Sequence, residues 1–114
     1  MRIADISRAV GGRVVCGEDR LSEEVGYAFA SDLMSDVLTL KNDDFVLLTG
    51  LANIQAVRTA EMADVGCLLL CRGKRSSREM EQLARESGMV MIESPYSLFK
   101  CAGLLYEAGL KPVF

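Results

Sequence analysis

The stretch Cys71-Arg72-Gly73-Lys74-Arg75-Ser76-Ser77 is where this sequence most plainly carries the means for chemistry. Arg72, Lys74, Arg75 and Arg78 set four positive charges within seven residues, with no intervening acid, around Gly73 and the hydroxyls of Ser76 and Ser77. Guanidinium and ammonium groups beside hydroxyls suit a phosphate or a carboxylate. A charge run ahead of an amphipathic helix is equally what a solvated surface looks like, and Ser76 has a structural use as a helix cap. The loop is no Walker motif. Gly73 is its single glycine, without the second, properly spaced one that lets backbone amides encircle a nucleotide phosphate chain.

Thr49-Gly50 with Asn53 is a second candidate, and here too a structural reading stands beside the functional one. Gly50 permits a sharp exit from a strand and Asn53 can cap the helix that follows. The candidate site for an anion or nucleotide is therefore Thr49, Gly50, Asn53, Arg72, Gly73, Lys74, Arg75, Ser76 and Ser77. The acids Asp32, Asp36, Asp43, Asp44 and Glu93 invite an acid/base proposal, but no spacing marks a pair and the chain has no histidine. No catalytic residue is assigned, and the expectation is a protein that binds rather than catalyses.

Cys16, Cys67, Cys71 and Cys101 form no C-x-x-C pair, so neither a metal nor another cofactor is expected. Cys67 and Cys71 share a strand face but lie roughly 13 Å apart, too far for a disulfide, and read as packing residues. Tyr27, Tyr96 and Tyr106 read as core or interface aromatics.

These loops need a frame to hold them, and hydrophobic periodicity supplies it. Apolar runs Phe45 to Leu48, Cys67 to Leu70 and Met89 to Ile92 alternate with three amphipathic segments, a β-α-β-α-β-α rhythm. The first helix, about Asn53 to Ala63, offers Ile54, Ala56, Val57 and Ala60 to a core. The second opens on a capping-box pattern, Ser76-Ser77-Arg78-Glu79, and ends at Gly88. The third opens at Ser94-Pro95 and buries Leu98, Phe99, Ala102, Leu105 and Tyr106. Continuous apolar strands joined through helices imply a largely parallel sheet with helices on both faces. The loops after Leu48, Leu70 and Ile92 then meet at one edge, where open α/β folds bind ligands.

The front third reads as a short helix through Ile3, Ile6 and Val10, a strand at Arg13 to Cys16 and another at Val25 to Ala30. A helix follows, carrying Leu33, Met34, Val37, Leu38 and Leu40, with Ser31 or Asp32 as its cap.

Composition agrees with one domain over residues 1 to 114, half of them apolar and a quarter charged. A net charge of −3 argues against nucleic-acid or anionic-membrane binding. No apolar run approaches the roughly 20 residues of a membrane helix, and no leader-like start is visible, so a cytoplasmic location is expected.

The segments Ser31 to Leu38, Leu48-Thr49-Gly50 with Asn53 to Val57, Leu68 to Gly73, and Pro95-Tyr96 together resemble the DRTGG domain, in order and over most of the chain. The chain is similar in particular to the stand-alone members. That resemblance implies an α/β layered domain, often self-associating, with a regulatory part and a fold like the N-terminal domain of HPr kinase/phosphorylase. The naming residues are changed: Leu51-Ala52 follows Thr49-Gly50, and the later loop reads Cys71-Arg72-Gly73. The expected function is a self-associating regulatory module that senses an anionic small molecule or nucleotide. The alternative is an assembly accessory of a larger enzyme with no small ligand. A phosphotransfer enzyme is the third reading, and it lacks the phosphate-binding loop.

Overall fold

A computed structural model describes residues 1 to 114. The elements run α1 (Ile3–Ala9), β1 (Arg13–Cys16), a 3-10 turn at Glu18–Arg20, β2 (Tyr27–Ala30), α2 (Met34–Val37), β3 (Phe45–Thr49), α3 (Ile54–Met62), β4 (Cys67–Leu70), α4 (Arg78–Glu86), β5 (Val90–Glu93), α5 (Leu98–Glu107) and β6 (Lys111–Pro112).

The six strands form one sheet in the order β1-β5-β4-β3-β2-β6, parallel throughout except that β1 runs antiparallel to β5. The order explains the layers. From β2 to β5 each crossover moves one strand in the same direction, and right-handed crossovers advancing one way put α2, α3 and α4 on one face. The step from β5 back to β6, beyond β2, reverses direction and carries α5 to the other face, where it joins α1.

β3, β4 and β5 are buried on both faces, which is why they read as continuous apolar runs with no polar alternation. Their period of two divides the core. Phe45, Leu47, Leu68, Leu70 and Met91 meet Val57, Ala60, Met80 and Ala84 on the face of α2 to α4. Val46, Leu48, Leu69, Val90 and Ile92 meet Ile3, Ile6, Cys101 and Leu105 on the face of α1 and α5. All four cysteines are free and buried. No helix is long and apolar enough to cross a membrane.

The expected α/β architecture is present, and several of its details move. Strand β5 starts at Val90 and β2 at Tyr27. The helix expected around Leu33 to Leu40 shrinks to Met34–Val37, with Leu33 and Leu38 exposed and no side-chain cap. Ser31 instead accepts a hydrogen bond from the Leu33 amide, and Asp32 turns toward β3. Helix α4 is capped by Ser77, not Ser76, its hydroxyl accepting from the Met80 amide at 3.1 Å. Helix α5 begins after Ser97, whose side chain caps Lys100, while Ser94 is buried and donates to the Val10 carbonyl at 2.7 Å. Phe99 and Tyr106, expected inside, lie on the outer face of α5.

Candidate functional site

The C-terminal ends of β3, β4 and β5 share one edge of the sheet, as parallel pairing requires. After β3 the chain is fastened by an acid from the β2–α2 connection. Thr49, with no exposed surface, donates its hydroxyl to Asp32 Oδ1 at 2.9 Å, and the Gly50 amide donates to the same oxygen at 2.7 Å. The Thr49 hydroxyl also accepts from the Leu51 amide at 3.1 Å. Asn53 caps α3, its Oδ1 accepting from the Ala56 amide at 3.0 Å. Thr49 and Asn53 are thus occupied in holding the loop. Gly50 sits between charges: a Cβ there would lie 3.6 Å from both Asp32 carboxylate oxygens and 3.8 Å from the Arg72 guanidinium carbon.

After β4, Arg72 and Gly73 take consecutive left-handed conformations, with φ of 67° and 70°. The turn is pinned to the loop after β5. The Arg72 amide donates to the Tyr96 carbonyl at 2.6 Å, and the Gly73 amide to the Ser94 carbonyl at 2.9 Å. Those two amides are spent inside the protein, so positive charge for an anion comes from side chains rather than from a backbone cradle. The double turn separates them. Arg72 reaches toward Gly50, while Lys74 and Arg75 line a cleft of about 240 Å³ on the β1 side, together with Gly11, Arg13, Gly73, Glu93, Ser94 and Pro95.

Arg13 reaches this cleft because β1 is antiparallel: the first residue of β1 stands opposite the last of β5, Glu93. Arg13 Nη2 donates to Glu93 Oε1 at 2.9 Å, and Ser76 donates its amide (2.6 Å) and hydroxyl (2.9 Å) to Oε2. Burial pushes the Glu93 carboxyl upward, but the Ser76 amide, the Arg13 guanidinium and the Ser76 hydroxyl together outweigh it and hold the group below the usual range. Both oxygens of Glu93 are therefore engaged. Lys74 and Arg75 have no carboxylate partner, which leaves the cleft with an excess of positive charge.

The nine residues singled out by sequence thus fall into three sets. Gly50 and Arg72 meet beside Asp32; Gly73, Lys74 and Arg75 line the cleft; Thr49, Asn53, Ser76 and Ser77 hold the loops and helix starts. Sequence reasoning missed Arg13 and Gly11, and did not separate Asp32 and Glu93 from the other acids. The Gly11-Gly12-Arg13 run was the available signal. Gly11, at φ 59°, packs under Tyr96, whose hydroxyl would lie 3.1 Å from a Cβ there.

A six-stranded α/β domain with charged loops gathered at one sheet edge is the class these features define. The chain belongs to the DRTGG domain family, whose model matches residues 5–108. Among solved structures it is similar to the regulatory region of a Clostridium perfringens pyrophosphatase, comprising CBS and DRTGG domains and complexed with its activator diadenosine tetraphosphate. The TM-score is 0.78 at 16% identity, over 98% of this chain and 48% of that one. This chain spans about half the length of that structure. No curated protein matches it.

Proposed function

We propose that this domain is a non-catalytic regulatory module of the cytoplasm, a single unit over its 114 residues, that self-associates and senses an anionic small molecule. The observation that carries the reading is the convergence of Arg13, Lys74 and Arg75 on one cleft at the strand-end edge. Three cations against one carboxylate already saturated with donors favour a ligand with at least two negative charges, a nucleotide or phosphorylated metabolite. Arg72, beside Gly50, stands one turn away on the same loop and can meet a second anionic group. The kinship with the N-terminal domain of HPr kinase/phosphorylase, which the sequence resemblance implies, agrees with regulation and brings no phosphate-transfer loop. The nucleotide activator of the pyrophosphatase regulatory region supports placing nucleotides first in any ligand panel.

Thermal shift with nucleotides, dinucleoside polyphosphates, phosphorylated metabolites and acyl phosphates tests the reading. Binding to the folded state raises Tm with ligand concentration. Lys74→Ala and Arg75→Ala should weaken the effect, whereas Lys41→Ala, before the opposite end of β3, should not. No stabilisation by any ligand class would abandon sensing and favour the alternative, an assembly accessory of a larger enzyme. Exposed Phe99 and Tyr106 are the features that support that alternative.

A further inference from the structure

The outer face of α5 carries a residue that nothing inside the chain explains. Gly103 stands in the middle of Leu98–Glu107, exposed, and a Cβ added there would meet nothing within 4 Å. Glycine is the poorest helix-interior residue after proline, and no internal contact here requires it. Phe99 and Tyr106, 88% and 68% exposed, are seven residues apart and so lie on one side of the helix, with Gly103 between them. Beside Tyr106 an apolar groove of about 160 Å³ runs between α5 and the β2–β6 edge, lined in part by Ala28, Ala30 and Pro112.

Lys100 and Glu107 are also exposed and also seven residues apart. Lys100 lies 3.8 Å over the Tyr96 ring, and neither it nor Glu107 has an ion-pair partner within the chain.

One symmetry operation accounts for all of these features. Two α5 helices set antiparallel about a two-fold axis at Gly103 bring glycine to glycine, so the backbones can approach closely. Phe99 of each copy then meets the partner's Tyr106, and Lys100 meets the partner's Glu107. Each contact forms twice, as an isologous interface demands. A parallel pairing about an axis along the helices would instead set Lys100 beside the partner's Phe99 and Glu107 beside the partner's Tyr106, leaving both charges unpaired. We propose that a second copy of this chain covers the outer face of α5, with Gly103 at the dyad. The proposal rests on the self-association in the reading above and not on its ligand. A ten-residue helix is only about 15 Å long, and the groove beside Tyr106 extends the patch toward the roughly 800 Å² per partner of a stable interface.

Sedimentation equilibrium of the full chain tests it. The wild-type chain should run as a dimer. Lys100→Glu and Glu107→Lys should each weaken the dimer by at least about tenfold, since each sets like charges opposite one another twice, and the double swap should restore it. Gly103→Arg should give a monomer with an unchanged circular dichroism spectrum. A wild-type monomer at concentrations well above micromolar overturns the proposal. A dimer that tolerates Gly103→Arg, or a double swap that fails to restore association, places the interface elsewhere. Ligand-induced thermal shifts are a separate readout, so loss of sensing and loss of this interface are told apart.

Discussion

Asp32 Oδ1 takes two hydrogen bonds from the turn after β3, one from the Thr49 hydroxyl at 2.9 Å and one from the Gly50 amide at 2.7 Å. A single exposed acid thereby fixes the exit of a central strand. Asp32→Ala leaves the buried Thr49 hydroxyl without its acceptor, at a cost of about 1–2 kcal/mol. Asp32→Asn retains an acceptor oxygen and should lose less. Urea unfolding of both variants measures this, and equal stability for Asp32→Ala and the wild-type chain would show that the turn holds itself.

Glu93 ties the acid stability of the fold to the cleft. Its folded pKa lies below its ordinary value of 4.5, so the folded state binds fewer protons than the unfolded chain across that window. The stability contributed by ionised Glu93 is complete above the ordinary value and is lost as pH falls through the depressed one. Glu93→Gln should cost about 2 kcal/mol at neutral pH, because its amide presents a donor to Arg13 or Ser76. It should also flatten the loss of stability between about pH 5 and pH 3 relative to the wild-type chain. Denaturant midpoints across that range decide the matter; parallel pH profiles would remove Glu93 from the account.

Arg72 is a non-glycine residue at φ 67°, where an L side chain costs roughly 1–2 kcal/mol. Glycine would relieve that strain but leave a more flexible unfolded chain, so Arg72→Gly should hold stability within about 1 kcal/mol of the wild-type chain. Arg72→Val, branched at Cβ, should destabilise by more than about 1 kcal/mol. If the guanidinium beside Gly50 contacts the ligand, Arg72→Gly weakens binding while stability is kept. Calorimetric titration alongside thermal unfolding separates the two effects, and unchanged affinity would restrict the ligand to the Arg13 side of the loop.

What the sequence discloses here follows the range of the interactions. The β3-α3-β4-α4-β5-α5 order was legible because apolar runs and helical spacing are local signals, and Asn53, placed by its position before α3, is indeed that helix's cap. The outer face of α5 was not. In LFKCAGLLYE apolar residues occur all round the helix, so spacing alone does not select Cys101 and Leu105 for the interior over Phe99 and Tyr106. Arg13 escaped because its place depends on an antiparallel pairing with β5, eighty residues away. Asp32 and Glu93 looked like their neighbours because their partners are set by tertiary contacts. The cap of α4 shifted by one residue for the same reason: Glu93, seventeen residues on, claims Ser76.

That shift separates two adjacent serines by function. Ser77→Ala removes the hydroxyl that accepts from the Met80 amide, a loss of about 1 kcal/mol typical of an N-cap. Ser76→Ala removes one of the two donors on Glu93 Oε2 and leaves the Ser76 amide in place, so its cost at neutral pH should be smaller, about 0.5–1 kcal/mol. The pH dependence tells them apart. With one stabilising hydrogen bond gone, the Glu93 carboxyl in Ser76→Ala titrates closer to its ordinary value, and the gap between folded and unfolded values narrows. The acid limb of Ser76→Ala should therefore be shallower than that of the wild-type chain, whereas Ser77→Ala should lower the whole profile without changing its slope. Carbon-detected NMR titration of the Glu93 carboxyl reads the same difference directly. An upward shift in Ser77→Ala equal to that in Ser76→Ala would mean that the start of α4, and not the Ser76 hydroxyl, governs the charge at the floor of the cleft.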